Sequence, residues 1–230
     1  MKILLISDEE VKSFWEYYKP GTFKEYDLII SCGDLSAKYL EFIVTMASCP
    51  VLYVPGNHDK GYVQRPPAGC DCIDGKIYTY NGVRILGIGG SMRYRPDHPY
   101  LFSEDEMTKR IQKLKKTIMK HSGFDILITH SPARGYGDLE DLPHQGYECF
   151  STLLECCKPK LMLHGHIHRN YGQNTEEREL IHSSGTKLIN CFEKYVLDYD
   201  ETSPNPLDKS TLKENWGKNF KSHHFGFFKK

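Results

Sequence analysis

Val51-Leu52-Tyr53-Val54-Pro55-Gly56-Asn57-His58-Asp59 is the stretch that decides how this chain folds. A short apolar run rich in β-branched residues ends in glycine, followed at once by an amide, an imidazole and a carboxylate. That is the pattern of a buried strand handing over to a turn loaded with polar donors. The same event recurs outward in both directions: residues 2–6 run into Ser7-Asp8, 27–31 toward Gly33-Asp34, 125–129 into His130, and 160–164 into Gly165-His166-Ile167-His168. Open α/β sheets bind ligands outside the carboxyl ends of their strands. Oxygen and imidazole donors at these five strand ends therefore predict one shared site, and glycine before residues 34, 57 and 166 permits tight turns there.

A further apolar run at 84–88 and helical spacing over 38–47 and 104–121 complete an α/β pattern, with Ser103 as N-cap of the second helix and Glu106 three residues on. Asn81-Gly82, between 76–80 and 83–86, is a strong hairpin signal; Ser184-Gly185, between 179–182 and 186–189, suggests a second one. Crossover helices together with hairpins predict a two-sheet α/β sandwich with mixed strand directions. One domain is expected over 1–200. Residues 201–230 differ in texture, with Trp216, Phe220, Phe225, Phe227 and Phe228 among six lysines. That tail is expected to pack on the domain, because a row of exposed aromatics promotes aggregation; the His223-His224 pair is read as incidental.

Composition excludes several classes. The 230 residues carry 30 basic and 30 acidic side chains, so bulk charge gives no argument for nucleic acid or an anionic membrane. No run is long and apolar enough for a membrane span, and the opening Met-Lys-Ile-Leu-Leu-Ile is too short for a secretory signal. The eight cysteines contain no C-x-x-C and are expected to be reduced thiols in a cytoplasmic protein.

Taken singly, a Gly-Asp after a strand is usually a turn, and a His-x-His is usually two ordinary imidazoles. Their conjunction in this order is informative. The chain resembles the calcineurin-like metallophosphoesterase superfamily, whose motifs run D-x-H, G-D, G-N-H-[DE], a lone His and G-H-x-H; four of the five are matched. Gly90-Ser91-Met92-Arg93-Tyr94, Thr129-His130-Ser131-Pro132, Gly137-Asp138 and Gly165-His166-Ile167-His168-Arg169 are similar to its small single-domain MPPED-like members.

The resemblance implies a four-layer αββα sandwich of two mixed β-sheets flanked by helices. It implies a metal-dependent hydrolase that cleaves a phosphodiester, or a monoester, through a two-metal-activated hydroxide. One ion would be held by Asp34, Asn57, His130 and His166, the other by Asp8, Asp34 and His168, with Asp34 bridging. Such mixed donors suit divalent Mn, Fe, Zn or Ni. His58 would face the scissile phosphate with Asp59 orienting its imidazole; separately, Arg93 and Arg95, in the loop after the 84–88 strand, could grip phosphate or a nucleotide, Arg93 being the candidate for binding a small phosphoester. The first motif departs from the family: Glu10 stands where histidine is usual. Glu10 is expected to remain a ligand, against the alternative that it faces solvent or a helix start. A catalytically silent binding scaffold is the competing function.

Overall fold

All six apolar runs form strands in the computed structural model, which describes residues 1–169, 178–202 and 207–220. In chain order the strands are β1 (Lys2–Ser7), β2 (Leu28–Ser31), β3 (Val51–Tyr53), β4 (Asp71–Cys72), β5 (Lys76–Tyr80), β6 (Val83–Ile88), β7 (Ser91–Met92), β8 (Leu101–Phe102), β9 (Ile126–Thr129), β10 (Leu161–His164), β11 (Glu179–Ile181), β12 (Lys187–Asn190) and β13 (Glu193–Asp198). The helices are α1 (Ala37–Met46), α2 (Glu104–Lys120), α3 (Glu148–Cys157) and α4 (Lys209–Asn219).

The strands make two larger sheets, ordered β13-β1-β2-β3-β4 and β11-β12-β10-β9-β6-β5, and a small β7-β8 ladder. Each larger sheet is parallel in its centre and antiparallel toward an edge, at β13 against β1 in the first and at both β5 and β11 in the second. Ile3, Leu5, Ile30 and Leu52 of the first sheet pack against Ile85, Ile126, Ile128 and Leu163 of the second in one buried cluster. The alternate residues Leu4, Ile6 and Ile29 face the other way and bury against Tyr39, Leu40 and Ile43 of α1. On the outer face of the second sheet, Leu86, Leu127 and Met162 pack with buried residues of α2, α3 and α4. The layers are therefore helix, sheet, sheet, helix, and both faces of the central strands are dry, which explains their continuous apolar runs.

Both hairpins form. Asn81 and Gly82 have φ of 47° and 80°, the left-handed pair that a two-residue turn between β5 and β6 requires. At the second, β11 pairs with β12 through the turn centred on Ser184-Gly185. The capping box at Ser103 and Glu106 is complete on α2. All eight cysteines are free thiols, five of them buried. No helix among the described residues is long and apolar enough to cross a membrane.

Of residues 201–230, α4 is the helix among the described residues; His223, His224, Phe225, Phe227 and Phe228 lie outside them. Asp208 caps α4, accepting from the backbone N–H of Ser210 and Thr211. Leu212 and Trp216 are buried in the cluster shared with α2 and α3, and Phe220 stacks on Trp216. Trp216→Ala should lower the unfolding free energy by roughly 3–5 kcal/mol, the range for deleting a large buried aromatic, as read from urea titration.

Candidate active site

The strand-end donors come from both sheets and meet at one end of the sandwich. β1 and β2 deliver Asp8 and Asp34, whereas β9 and β10 deliver His130 and His166. Asp8, Asp34 and His166 have φ of 66°, 58° and 69°. A left-handed backbone at a non-glycine residue costs about 1 kcal/mol or more, and three such residues in one place mark a site whose geometry is imposed by its surroundings.

The glycines beside the donors play two parts. Gly33, at φ 98°, turns the chain. Gly56 and Gly165 supply space instead: a Cβ on Gly56 would stand 2.2 Å from Asp34 Oδ1, and one on Gly165 would stand 1.9 Å from Ser7 Oγ. The expected tight turn at 165–166 is made by His166 itself.

His130 is fully buried and is held at both ring nitrogens. Its Nδ1 donates to the Cys32 carbonyl at 2.7 Å, and its Nε2 lies 2.9 Å from Asn57 Oδ1 and 3.2 Å from Asp34 Oδ2. His166 Nε2 donates to the Pro143 carbonyl at 2.8 Å, which leaves Nδ1 as the unprotonated nitrogen. These tautomers follow from the partners. With one ring nitrogen tied to a carbonyl, each imidazole can present the other to an ion. One candidate ligand atom from each of Asp34, His130 and His166 lies within 4.8 Å of the other two. Beside them, both oxygens of Asp8 accept from the His166 backbone N–H, at 3.0 and 2.9 Å, and His168 Nε2 is 3.8 Å from Asp8 Oδ1.

Burial alone would push the Asp34 carboxyl up, but His130 and the His58 backbone N–H pull it down to about 2. Burial pushes Asp8 up to about 6, aided by Asp34 and opposed by His130. For His130, burial favours the neutral ring, yet Asp34 and Asp8 outweigh it and raise the imidazole to about 9. Burial holds His166 well below the ordinary histidine value. Two dry carboxylates thus impose a demand for positive charge on the neighbouring imidazoles, the setting in which a divalent cation competes well with a proton. The mixture of carboxylate, amide and imidazole fits a first-row divalent ion.

Three expected roles meet a different geometry. Asp59 is not hydrogen-bonded to the His58 ring among the described contacts. Its Oδ2 accepts instead from the backbone N–H of Asp34 at 2.9 Å and Gly56 at 2.8 Å, so it fixes the two donor turns to each other. Glu10 is not among the clustered donors: Oε1 accepts from the Ser36 N–H at 3.2 Å, at the N-cap of α1. The orphan donors and positive end of α1 attract a carboxylate there. Arg93 is spent on structure, with Nε and Nη2 donating to the Leu101 carbonyl at 3.3 and 3.1 Å and Nη2 paired with Glu106 at 2.8 Å. His58 adjoins Asp34 at the edge of the cluster. Its N–H donates to Asp34 Oδ1 at 2.7 Å, and its side chain lines an open recess of about 450 Å³ with Leu35, Ala37, Tyr62 and Arg65.

The sequence reading missed the turn 141–144, which lies over His166. Its Pro143 carbonyl fixes the His166 tautomer, and the His144 ring sits 5.2 Å from that of His166 while Nδ1 bonds Asp141 Oδ2 at 2.6 Å. The i,i+3 spacing of Asp141 and His144 around a proline was the available signal.

A family model described as calcineurin-like phosphoesterase matches residues 1–170. A UPF0046 protein of Caenorhabditis elegans is 34% identical over 82 residues, 35% of this chain and 19% of that one. The human metallophosphoesterase domain-containing protein 1 is 28% identical over 174 residues, 71% of this chain and 50% of that one. The chain thus spans at most half the length of either relative. The crystal structure of TT1561 of Thermus thermophilus shares the fold at a TM-score of 0.54 and 13% identity, covering 84% of this chain and 89% of that chain. With a family match running from the first strand through the last histidine motif, over the residues whose side chains converge here, this chain belongs to the calcineurin-like phosphoesterase family.

Proposed function

We propose that the protein is a metal-dependent phosphoesterase acting on a small phosphoester, with a diester as the preferred class and a monoester or nucleotide within reach of the same chemistry. The carrying observation is that Asn57 Oδ1 and Asp34 Oδ2 both face His130 Nε2, at 2.9 and 3.2 Å, with His58 open to solvent alongside. Asp34, Asn57, His130 and His166 would hold one divalent Mn, Fe, Zn or Ni ion, and Asp8, Asp34 and His168 a second. When bound, such ions supply Lewis acidity and charge neutralisation for in-line displacement at phosphorus.

The chain's own residues supply the remainder. His58 is the exposed imidazole at the edge of the donor cluster, placed to donate a proton or hydrogen bond to the departing oxygen. Asp59 holds the Asp34 and Gly56 turns in register, so the donors keep their spacing without substrate. The core domain spans 1–200, with α4 strapped over α2 and α3.

The engagement of Glu10 at α1 supports a second reading, in which the Asp8 position holds its ion weakly and turnover is slight, with the fold serving mainly as a binding scaffold. Assay of bis-p-nitrophenyl phosphate and p-nitrophenyl phosphate with added Mn separates the two: turnover supports the enzyme, and none with a full metal complement supports the scaffold.

Three outcomes are expected. His58→Ala should cut turnover by roughly 10²–10⁴-fold while metal content by elemental analysis stays at the wild-type value; unchanged turnover removes His58 from the chemistry. Because His130 is raised to about 9, it carries a proton at pH 7.5 that a cation must displace. Metal affinity should therefore rise with pH up to about 9, and calorimetry in buffers of different ionisation enthalpy should show proton release. Glu10→Gln should leave the number of ions per chain unchanged and cost about 0.3–1 kcal/mol of stability through loss of charge at α1; loss of one ion would restore Glu10 to the ligand set.

A further inference from the structure

A second group of polar residues gathers beside the donor cluster, on the side opened by the loop after β7. Arg93, Tyr94, Arg95, His98 and Leu142 line a recess of about 470 Å³. Leu142 precedes Pro143, whose carbonyl holds His166, so the recess borders the donor cluster. His98 is 8% exposed, and its Nδ1 accepts from the Tyr100 N–H at 3.4 Å, which leaves Nε2–H as a donor on a nine-tenths-buried ring. Burial depresses the His98 imidazole, with repulsion from Arg95, Lys60 and His58 in that order and attraction by Asp34 opposing it. Lys60 follows Asp59 directly and lines an adjoining recess with Pro99.

The cations around this recess differ in their partners. Arg93 is neutralised by Glu106. Arg95 lies over the Tyr94 ring at 5.4 Å, and neither it nor Lys60 forms an ion pair among the described residues. Asp97 is the one carboxylate lining the recess. Arg95 and His98 share one recess, and Lys60 lines a second one with Pro99, the residue after His98; in a chain of zero net charge, two cations without an ion pair flanking a buried imidazole form a local field suited to an anion. Arginine and lysine both bind phosphate and carboxylate oxygens through charge-assisted hydrogen bonds.

We propose that Arg95, Lys60 and His98 form a second anion subsite beside His58, which holds a negatively charged group on the part of the substrate away from the reacting phosphate. The inference rests on the phosphoesterase reading and narrows its substrate class to small phosphoesters bearing a second anionic group. Tyr94 and the half-exposed Leu142 supply apolar walls for the organic portion between the two anions.

Calorimetric binding to the Mn-loaded protein, at fixed free Mn and low salt, tests this with adenosine 5′-monophosphate against adenosine 5′-diphosphate and adenosine 3′,5′-bisphosphate. At least one of the probes with two phosphate groups should bind about 10-fold or more tightly than the monophosphate. That advantage should shrink as salt rises. It should fall to within about twofold in the Arg95→Ala/Lys60→Ala double variant and return in part with Arg95→Lys. Equal affinity for all three probes overturns the subsite, as does a preference that survives the double substitution. Binding is read without turnover, so a protein that shows the preference yet hydrolyses no phosphoester overturns the enzymatic reading alone. Lys60 and Arg95 are both exposed, and circular dichroism establishes that the variants fold.

Discussion

The hydrogen bond from His130 Nδ1 to the Cys32 carbonyl is the joint on which the site depends, because it crosses from the end of β9 in one sheet to the end of β2 in the other. A sandwich held only by apolar contact can slide, since hydrophobic burial has no direction. This bond is directional and dry, and it fixes the ring that faces Asp34 and Asn57. Asp59 makes the corresponding joint within the first sheet, from the β3 turn to the β2 turn. Asp8 then joins the first sheet to the second again through the His166 N–H. Backbone and carboxylate thus hold the frame, and the side chains of Asp34, Asn57, His130 and His166 are left to face one another.

The frame is not relaxed. Left-handed backbone at Asp8, Asp34 and His166 is unfavourable locally and persists because the packed sheets over-determine it. The electrostatics have the same character. Asp8 is pushed upward chiefly by burial, whereas His130 is raised by Asp34 and Asp8 against burial. A region this dry holds such groups only when charge of the opposite sign sits among them.

Much of this was legible in the sequence, because apolar runs buried on both faces and glycine-donor pairs at their ends are local signals. The two hairpins and the α2 capping box are equally local and formed where the residues placed them. What the local pattern did not reveal was the partner of particular side chains. Glu10 has the right register for a ligand, but its partner is a helix start 26 residues away. Asp59 adjoins His58, which suggested a side-chain pair, whereas its partners are main-chain groups that no side-chain pattern reveals. Arg93 sits in a loop that looked free until β8 and Glu106 closed on it. β13 is amphipathic and half exposed, a weaker signal than the buried strands, and its place beside β1 depends on a pairing between opposite ends of the described chain.

That last pairing bears on how the chain is built. β13 lies antiparallel along β1, from Lys2 opposite Asp198 to Ser7 opposite Glu193, and the first residue's amino group donates to the Tyr199 carbonyl at 3.0 Å. During synthesis, therefore, one edge of β1 stays unpaired until almost the whole described chain has left the ribosome. Asp8, at the end of that strand, cannot meet the His166 N–H before β10 has been made. Contacts of such long sequence separation close late and slowly, and an unpaired strand edge is exposed to wrong partners meanwhile. The first donor to be translated is among the last to be set, and a nascent chain stalled before residue 193 would carry every site residue with the first sheet still open at β1.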